Sequence, residues 1–151
     1  LLYHGFSSDA ENMIEKFSEY AYQNGYVLVA PNGMPDRRGR TAWNAGACCS
    51  VVTNRRYDDL TYSTKVLEIT RKSLGLNLFN TKLFVAGFSN GAMMAHHFAC
   101  SYPDRVDGIA AISGPMNSET CDKLTTIPHP IPVWSSHSKN DPIVPFKGGI
   151  H

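Results

Sequence analysis

Leu83-Phe84-Val85-Ala86, then Gly87-Phe88-Ser89-Asn90-Gly91, then Ala92-Met93-Met94-Ala95-His96-His97-Phe98-Ala99-Cys100-Ser101 is the stretch whose reading decides the fold. An apolar run of strand length closes on a glycine, and a helical pattern rich in Ala and Met begins at Asn90 and stops before Pro103. Between them Ser89 sits in a G-x-S-x-G pattern. That pattern holds a serine on a sharp strand-to-helix turn, where the glycines let strand and helix backbones approach closely. The helix N-terminus behind the serine favours a developing negative charge. Two glycines and a serine recur by chance, so the strand–turn–helix setting is what makes Ser89 a candidate nucleophile rather than part of a glycine-rich turn.

Outward from this turn, Tyr26 to Ala30, Ile109 to Ser113 and Pro132 to Ser136 are short apolar runs, closed by Pro, Gly or polar residues. With Leu83 to Ala86 they are expected as buried strands of a mostly parallel sheet. Ile14, Phe17 and Ala21 share a face of a helix that Ser8 or Asp9 caps and Asn24-Gly25 ends. Leu60, Thr64, Leu67 and Leu74 share a face of a second helix, from near Asp58 to Gly75. Strands alternating with helices predict an α/β fold of one layered domain, with helices on both faces of the sheet. The chain opens within an apolar run at Leu1-Leu2-Tyr3 and closes at Gly148-Gly149-Ile150-His151. The expectation is a partial domain over 1–151, truncated at both ends, whose exposed sheet edges are prone to pairing with other copies.

The 151 residues are 42% hydrophobic and 18% charged, with Lys+Arg 14 against Asp+Glu 13. This excludes a highly charged disordered chain. The balanced charge gives no general reason to expect nucleic acid as a partner. No apolar run approaches the roughly 18 residues of a membrane-spanning helix. No Gly-x-Gly-x-x-Gly or phosphate-loop pattern is present, and the cysteines and histidines lack zinc-site spacing, so no cofactor or metal is called for.

A serine nucleophile needs backbone donors for the oxyanion, a base, and an acid that orients the base. The amide of Asn90, directly after the serine, is one candidate donor. His4-Gly5-Phe6, where the first strand ends, makes the Phe6 amide the other. In this architecture the acid follows the serine in chain order. Asp141, in Asn140-Asp141-Pro142 just beyond the strand Pro132 to Ser136, is the candidate; its structural alternative is an Asp-Pro turn.

With these motifs in place the chain resembles an α/β-hydrolase. More narrowly, it resembles the polyhydroxybutyrate depolymerase-type and feruloyl or acetylxylan esterases. The resemblance runs nearly end to end. It is carried by His4-Gly5-Phe6, Trp43-Asn44-Ala45-Gly46-Ala47-Cys48-Cys49, Tyr57-Asp58-Asp59, Gly87 to Met94, and Asp141 to Phe146 with Gly148-Gly149. Ala47 stands where the family usually has Gly, as does Ser138 after His137; both replacements are small. The serious departure is the triad histidine, which the family carries well past its acid turn and which has no counterpart here. His151 follows Asp141 too closely for a parallel crossover of about a dozen residues. The expectation is a catalytic histidine outside this chain, and an isolated 151-residue piece that is nearly inert.

The resemblance implies a secreted serine ester hydrolase acting through an acyl-enzyme. Its expected partner is an ester substrate, small or polymeric: feruloyl or acetyl esters of plant polysaccharide, or a short hydroxyalkanoate polyester. The rivals are a non-catalytic relative that binds a ligand, an inactive truncated product and, within enzymes, a peptidase. Cys48, Cys49, Cys100 and Cys121 allow several pairings. A vicinal Cys48–Cys49 bridge and a bridge from one of these to Cys121 both stand open, with Cys100 expected free and buried. The long segment Pro31 to Tyr57 is expected to be irregular and carries Arg37, Arg38, Arg40, Arg55 and Arg56. Recognition of an acidic or polymeric substrate is one reading of these arginines, and a solvated basic loop the other. Trp43 is a candidate sugar- or aryl-facing platform, whereas Trp134, inside a strand, is expected in the core.

Overall fold

The computed structural model describes residues 1–46, 48–49, 57–77, 80–118, 120–121 and 129–148. In chain order the elements are β1 (Leu2–Tyr3), α1 (Ala10–Gln23), β2 (Met34–Pro35), β3 (Thr41–Ala42), α2 (Asp59–Leu74), β4 (Phe84–Phe88), α3 (Asn90–Ser101), a single 3-10 turn (Pro103–Arg105), β5 (Gly108–Ile112) and β6 (Val133–Ser136). Four strands form a parallel sheet in the order β1-β4-β5-β6, in which Tyr3 pairs with Gly87, Phe88 with Ile112 and Ile112 with Ser136. The carboxyl ends of all four strands therefore lie along one edge.

The helix boundaries follow from side-chain chemistry. Asp9 accepts the Asn12 amide at 2.8 Å to start α1, and Asp58 accepts the Thr61 amide at 2.9 Å to start α2. Asn24 ends α1 with Gly25 at φ +70°, and Gly75, at φ +62°, ends α2 beside Arg71 and Lys72. Helix α3 is buried over most of its length, because its small residues let it lie directly on β1, β4 and β5. Tyr3, Trp43, Val85, Met94, Phe98 and Ala111 form the core on that side of the sheet. On the opposite face Phe84, Ala86, Phe88, Ala110 and Ile112 alternate with these. With Phe17 and Ala21 of α1, they line an open hollow of about 1430 Å³. Helices thus flank both faces, as expected of the α/β fold.

Several expectations change. Tyr26 to Ala30 is not a strand: the Leu2 amide donates to Val29 O at 2.8 Å and the Tyr26 ring meets Phe84 of β4 edge-on, but Tyr26 and Val27 are exposed. In α1 the buried residues are Ala10, Met13 and Ala21, while Ile14 is exposed; the helix packs at the short β1 and only a narrow stripe is covered. Leu74, at the end of α2, is exposed as well. Inside the segment expected to be irregular, β2 and β3 form an antiparallel hairpin. Asp36 makes its turn, accepting the Arg38 and Arg40 amides at 2.7 and 2.9 Å and pairing with the Arg40 guanidinium at 2.8 Å. Arg55 and Arg56 lie outside the described residues.

The two tryptophans exchange places relative to expectation. Trp43 is fully buried and so is no substrate platform. Trp134, on β6, is 60% exposed and faces the open hollow. Cys100 is not free. It bridges Cys121, with Cα atoms 5.4 Å apart, while Cys48 pairs with Cys49. The end of α3 and the loop after β5 are near neighbours in space, a proximity that spacing along the chain does not reveal. Because the Cys100–Cys121 bridge closes a segment of 21 residues, replacing both cysteines by serine is expected to lower stability by about 3 kcal/mol on the chain-entropy account. Urea unfolding under non-reducing conditions measures it, and an unchanged midpoint would contradict it.

Candidate active site

Ser89 occupies a conformation that few residues tolerate. At φ 53°, ψ −120° it is a non-glycine residue on the positive-φ side, a cost of about 1–3 kcal/mol that the surroundings must impose. They do so from several directions. The Ser89 amide donates to Ile112 O of β5 at 2.8 Å, and Ser89 O accepts the Ala92 and Met93 amides. A Cβ at Gly87 would run into the Gly91 carbonyl, and one at Gly91 into the Tyr3 and His4 carbonyl oxygens. Gly114, which the sequence reading did not single out, is needed for the same reason: a Cβ there would meet Ser89 O and the Ala92 methyl. The Ser89 side chain makes no capping bond to α3 and is half-buried, so the strain presents its hydroxyl instead of using it structurally.

Phe6 and Asn90 come to the elbow from two elements, Gly5 lying against the Phe88 carbonyl and Asn90 following Ser89 in the chain. The register of β1 on β4 sets Tyr3 against Gly87, which brings Phe6 beside the turn; Gly5, Phe6, Phe88 and Ser89 line the same hollow. The Asn90 amide is the first of α3, where no preceding turn supplies a helical acceptor. Among the described residues, no backbone hydrogen bond of the fold uses the amide of Phe6 or of Asn90. The Phe6 ring carries the Arg40 guanidinium 5.2 Å from its centroid.

A buried network joins these two positions. Asn90 Oδ1 accepts the Trp43 amide at 2.7 Å, and Asn90 Nδ2 donates to Trp43 O at 3.1 Å. The Trp43 indole Nε1 donates to His4 O at 2.9 Å. On His4, Nε2 accepts the Gly33 amide at 2.9 Å and Nδ1 lies 2.7 Å from Gly5 O. A carbonyl only accepts and an amide only donates, so the imidazole is neutral with its proton on Nδ1.

Burial pushes the imidazoles of His4, His96 and His97 below their ordinary value of 6.5, the Gly5 carbonyl opposing it at His4. Below that value the unfolded chain binds more protons than the folded one, so stability rises with pH through this window and is lost as pH falls. Burial of the Asp59 carboxyl raises it above 3.8 and works in the opposite sense at the acid end. The urea midpoint is expected to be lower at about pH 5 than at about pH 7.5, with part of the difference removed by His96→Gln. Equal midpoints would contradict this.

Asp141 follows β6. Its Oδ1 accepts the Ile143 and Val144 amides, each at 2.9 Å. These bonds, Val144 first, together with the nearby His137 ring, hold the carboxyl below its usual range. His137 Nε2 lies 2.7 Å from Val144 O, to which it donates, and 3.5 Å from Asp141 Oδ2. Since β5 alone separates β4 from β6, Ser89 and Asp141 leave strands about 10 Å apart on one edge.

Among the described residues no histidine is placed between them. Both ring nitrogens of His4 are engaged, His137 is bonded to Val144, and His129 stands by Asp104 at 4.0 Å. His96 and His97 lie about 10–12 Å along α3 from Ser89. His151 lies outside the described residues.

A strained serine between two glycines at a strand-to-helix turn, with a carboxylate on the same sheet edge, defines a known architecture, and the whole of residues 1–151 matches the phospholipase/carboxylesterase family of α/β-hydrolases. The chain belongs to that family. A probable feruloyl esterase C of Aspergillus niger is 28% identical over 128 residues, covering 85% of this chain and 40% of the relative. Feruloyl esterase B of Piromyces equi is 26% identical over 132 residues, covering 86% of this chain and 23% of that protein. Acyl-protein thioesterase 1 of Schizosaccharomyces pombe is 31% identical over 80 residues, covering 52% of this chain and 36% of the thioesterase. The chain thus spans less than half the length of these curated relatives. Among solved structures, Zea mays acyl-protein thioesterase 2 shares the fold at TM-score 0.50 and 19% identity, covering 97% of this chain and 73% of the thioesterase chain. The family is one of esterases and thioesterases. Among the described residues no group of three or more His, Cys, Asp or Glu side chains stands together to hold a metal ion, and no helix is long and apolar enough to cross a membrane.

Proposed function

We propose that this chain carries the nucleophile, acid and oxyanion donors of a serine carboxylic-ester hydrolase, its base being a histidine outside these 151 residues. The observation that carries the reading is Ser89 held half-buried at φ 53° on the strand-to-helix turn, its side chain making no capping bond to α3. Ser89 Oγ attacks the ester carbonyl while its proton passes to the imidazole, which Asp141 Oδ2 orients through its other nitrogen. The Phe6 and Asn90 amides receive the charge developing on the carbonyl oxygen. Collapse breaks the bond to the alkoxy group, which leaves as the alcohol with the imidazole's proton. Water, deprotonated by the same imidazole, then releases the acid from the acyl-enzyme.

The feruloyl esterase relatives support a feruloyl or acetyl ester of plant polysaccharide as substrate, with a short hydroxyalkanoate polyester as the second choice. The disulfides support an oxidising, extracellular setting. Methyl ferulate, p-nitrophenyl acetate, a 3-hydroxybutyrate oligomer, an acyl thioester and a peptide anilide, offered to the protein isolated from its source, test the reading. Hydrolysis of the oxygen esters without cleavage of the anilide is expected. Turnover of the thioester alone would move the substrate class toward the thioesterase relatives. No turnover of any would favour a non-catalytic relative that binds a ligand.

A further inference from the structure

We infer that Trp43 is a positioning residue for ester hydrolysis: its indole and its backbone hold the two oxyanion donors in register, although it touches no reacting atom. The inference rests on the serine-hydrolase reading above. The donors belong to segments 84 residues apart in sequence, Phe6 after β1 and Asn90 at the head of α3. Two amides form one oxyanion hole only if their separation is fixed to a few tenths of an ångström. Trp43 spans them. Its N–H and C=O are bonded to both polar atoms of the Asn90 side chain, at 2.7 and 3.1 Å, while its indole N–H is bonded to His4 O at 2.9 Å.

From His4 the chain of contacts reaches the Phe6 amide itself. His4 Nδ1 donates to Gly5 O, which also accepts the Ser8 amide at 3.2 Å. No peptide bond among the described residues is cis, and in a trans peptide the C=O and the following N–H point in opposite directions. Holding Gly5 O on the imidazole therefore turns the Phe6 N–H away from it, to the other side of the peptide plane. Gly33 N–H, on the far nitrogen, fixes the tautomer that makes this possible. Asn90, Trp43 and His4 are all fully buried, so no water substitutes for a lost link at small cost. The Trp43 ring is wedged as well, with its centroid 4.9 Å from those of both Tyr3 and His4.

Trp43→Phe keeps most of the wedge and deletes the indole donor; Asn90→Ser cuts the other end while leaving the Asn90 amide position in the backbone. In the protein isolated from its source, Trp43→Phe is expected to lower kcat for p-nitrophenyl acetate by about tenfold or more with KM within about twofold. The double variant is expected to lose less than the product of the two single losses. Hydrogen exchange of the peptides containing Phe6 and Asn90 is expected to accelerate in Trp43→Phe, while that of α1 stays unchanged. A raised KM with kcat intact, fully multiplicative losses, or unchanged exchange at Phe6 and Asn90 would each overturn the assignment. If Trp43→Phe does not fold, Asn90→Ser carries the same kinetic and exchange readings. An organophosphonate that fails to react with the unmutated protein would fail the hydrolase reading instead, and with it the catalytic role of Trp43; the exchange arm then still judges the structural link.

Discussion

Replacing Ser89 by glycine is expected to raise stability while eliminating turnover. Loss of a serine nucleophile costs on the order of 10⁶ in kcat, because the bond-forming atom is gone and only the oxyanion donors and binding remain. The stability change has the opposite sign. Ser89 is held at φ 53° against the preference of any residue with a Cβ, and glycine adopts that conformation without the clash. The gain is about 1 kcal/mol, reduced by the greater freedom of glycine in the unfolded chain. Ser89→Ala, which keeps the strain, is expected to be as inactive as the glycine variant but no more stable than the unmutated protein. Urea unfolding of the three forms, alongside ester turnover, separates these effects. If glycine destabilised relative to alanine, the strain would not be what distinguishes this position.

Asp141→Asn has the second-largest expected effect, and it leaves the turn intact. Oδ1 of Asp141 accepts the Ile143 and Val144 amides, and an asparagine oxygen accepts the same two bonds. What changes is the other atom. Oδ2, which lies 3.5 Å from His137 Nε2 and would hold the base in its productive tautomer, becomes an NH₂ donor. The comparable change in a serine triad lowers kcat by about 10⁴ with geometry preserved. A similar fall, with an unfolding midpoint close to that of the unmutated protein, is the expected result. A fall of less than about tenfold would place the catalytic acid elsewhere and leave Asp141 as the N-terminal residue of a turn.

The elbow was legible because its signals are local. Gly87, Gly91 and the strand and helix patterns around Ser89 are adjacent in sequence, and the structure adds the collisions that explain each glycine. The helix ends at Asp9, Asp58 and Gly75 were legible for the same reason, since caps act within four residues. Most of the misses share one physical cause, which is contact between segments distant in the chain. Trp134 carries a strand residue's apolar character, but whether a strand face is covered depends on what else packs there. Cys100 meets Cys121 only because α3 runs back over the sheet. The β2–β3 hairpin is too short to leave a period, and it shows itself in sequence at most as Asp36 with Gly39 at a turn. Tyr26 to Ala30 has a strand's composition without a strand's ladder, because hydrogen-bonded neighbours rather than β-branched residues make a strand.

The candidate site divides along the same line. Ser89, Asn90 and Asp141 are proposed from motifs, and Phe6 from its place after an apolar strand. The buried link through Trp43, His4 and Gly33 leaves no motif in the sequence, which makes Trp43 a candidate platform for substrate instead. A tryptophan followed by Asn-Ala-Gly reads equally well as a surface platform or as a wedge. Only its neighbours, Tyr3 at 4.9 Å and the Asn90 amide group, decide between them.

The most direct test of the central claim is covalent. The protein isolated from its source, treated with a fluorophosphonate and digested, is predicted to carry one adduct, on the peptide containing Ser89, and none in the Ser89→Ala variant. A folded protein that takes up no phosphonate, or carries it on another serine, would contradict the assignment of Ser89 as the nucleophile.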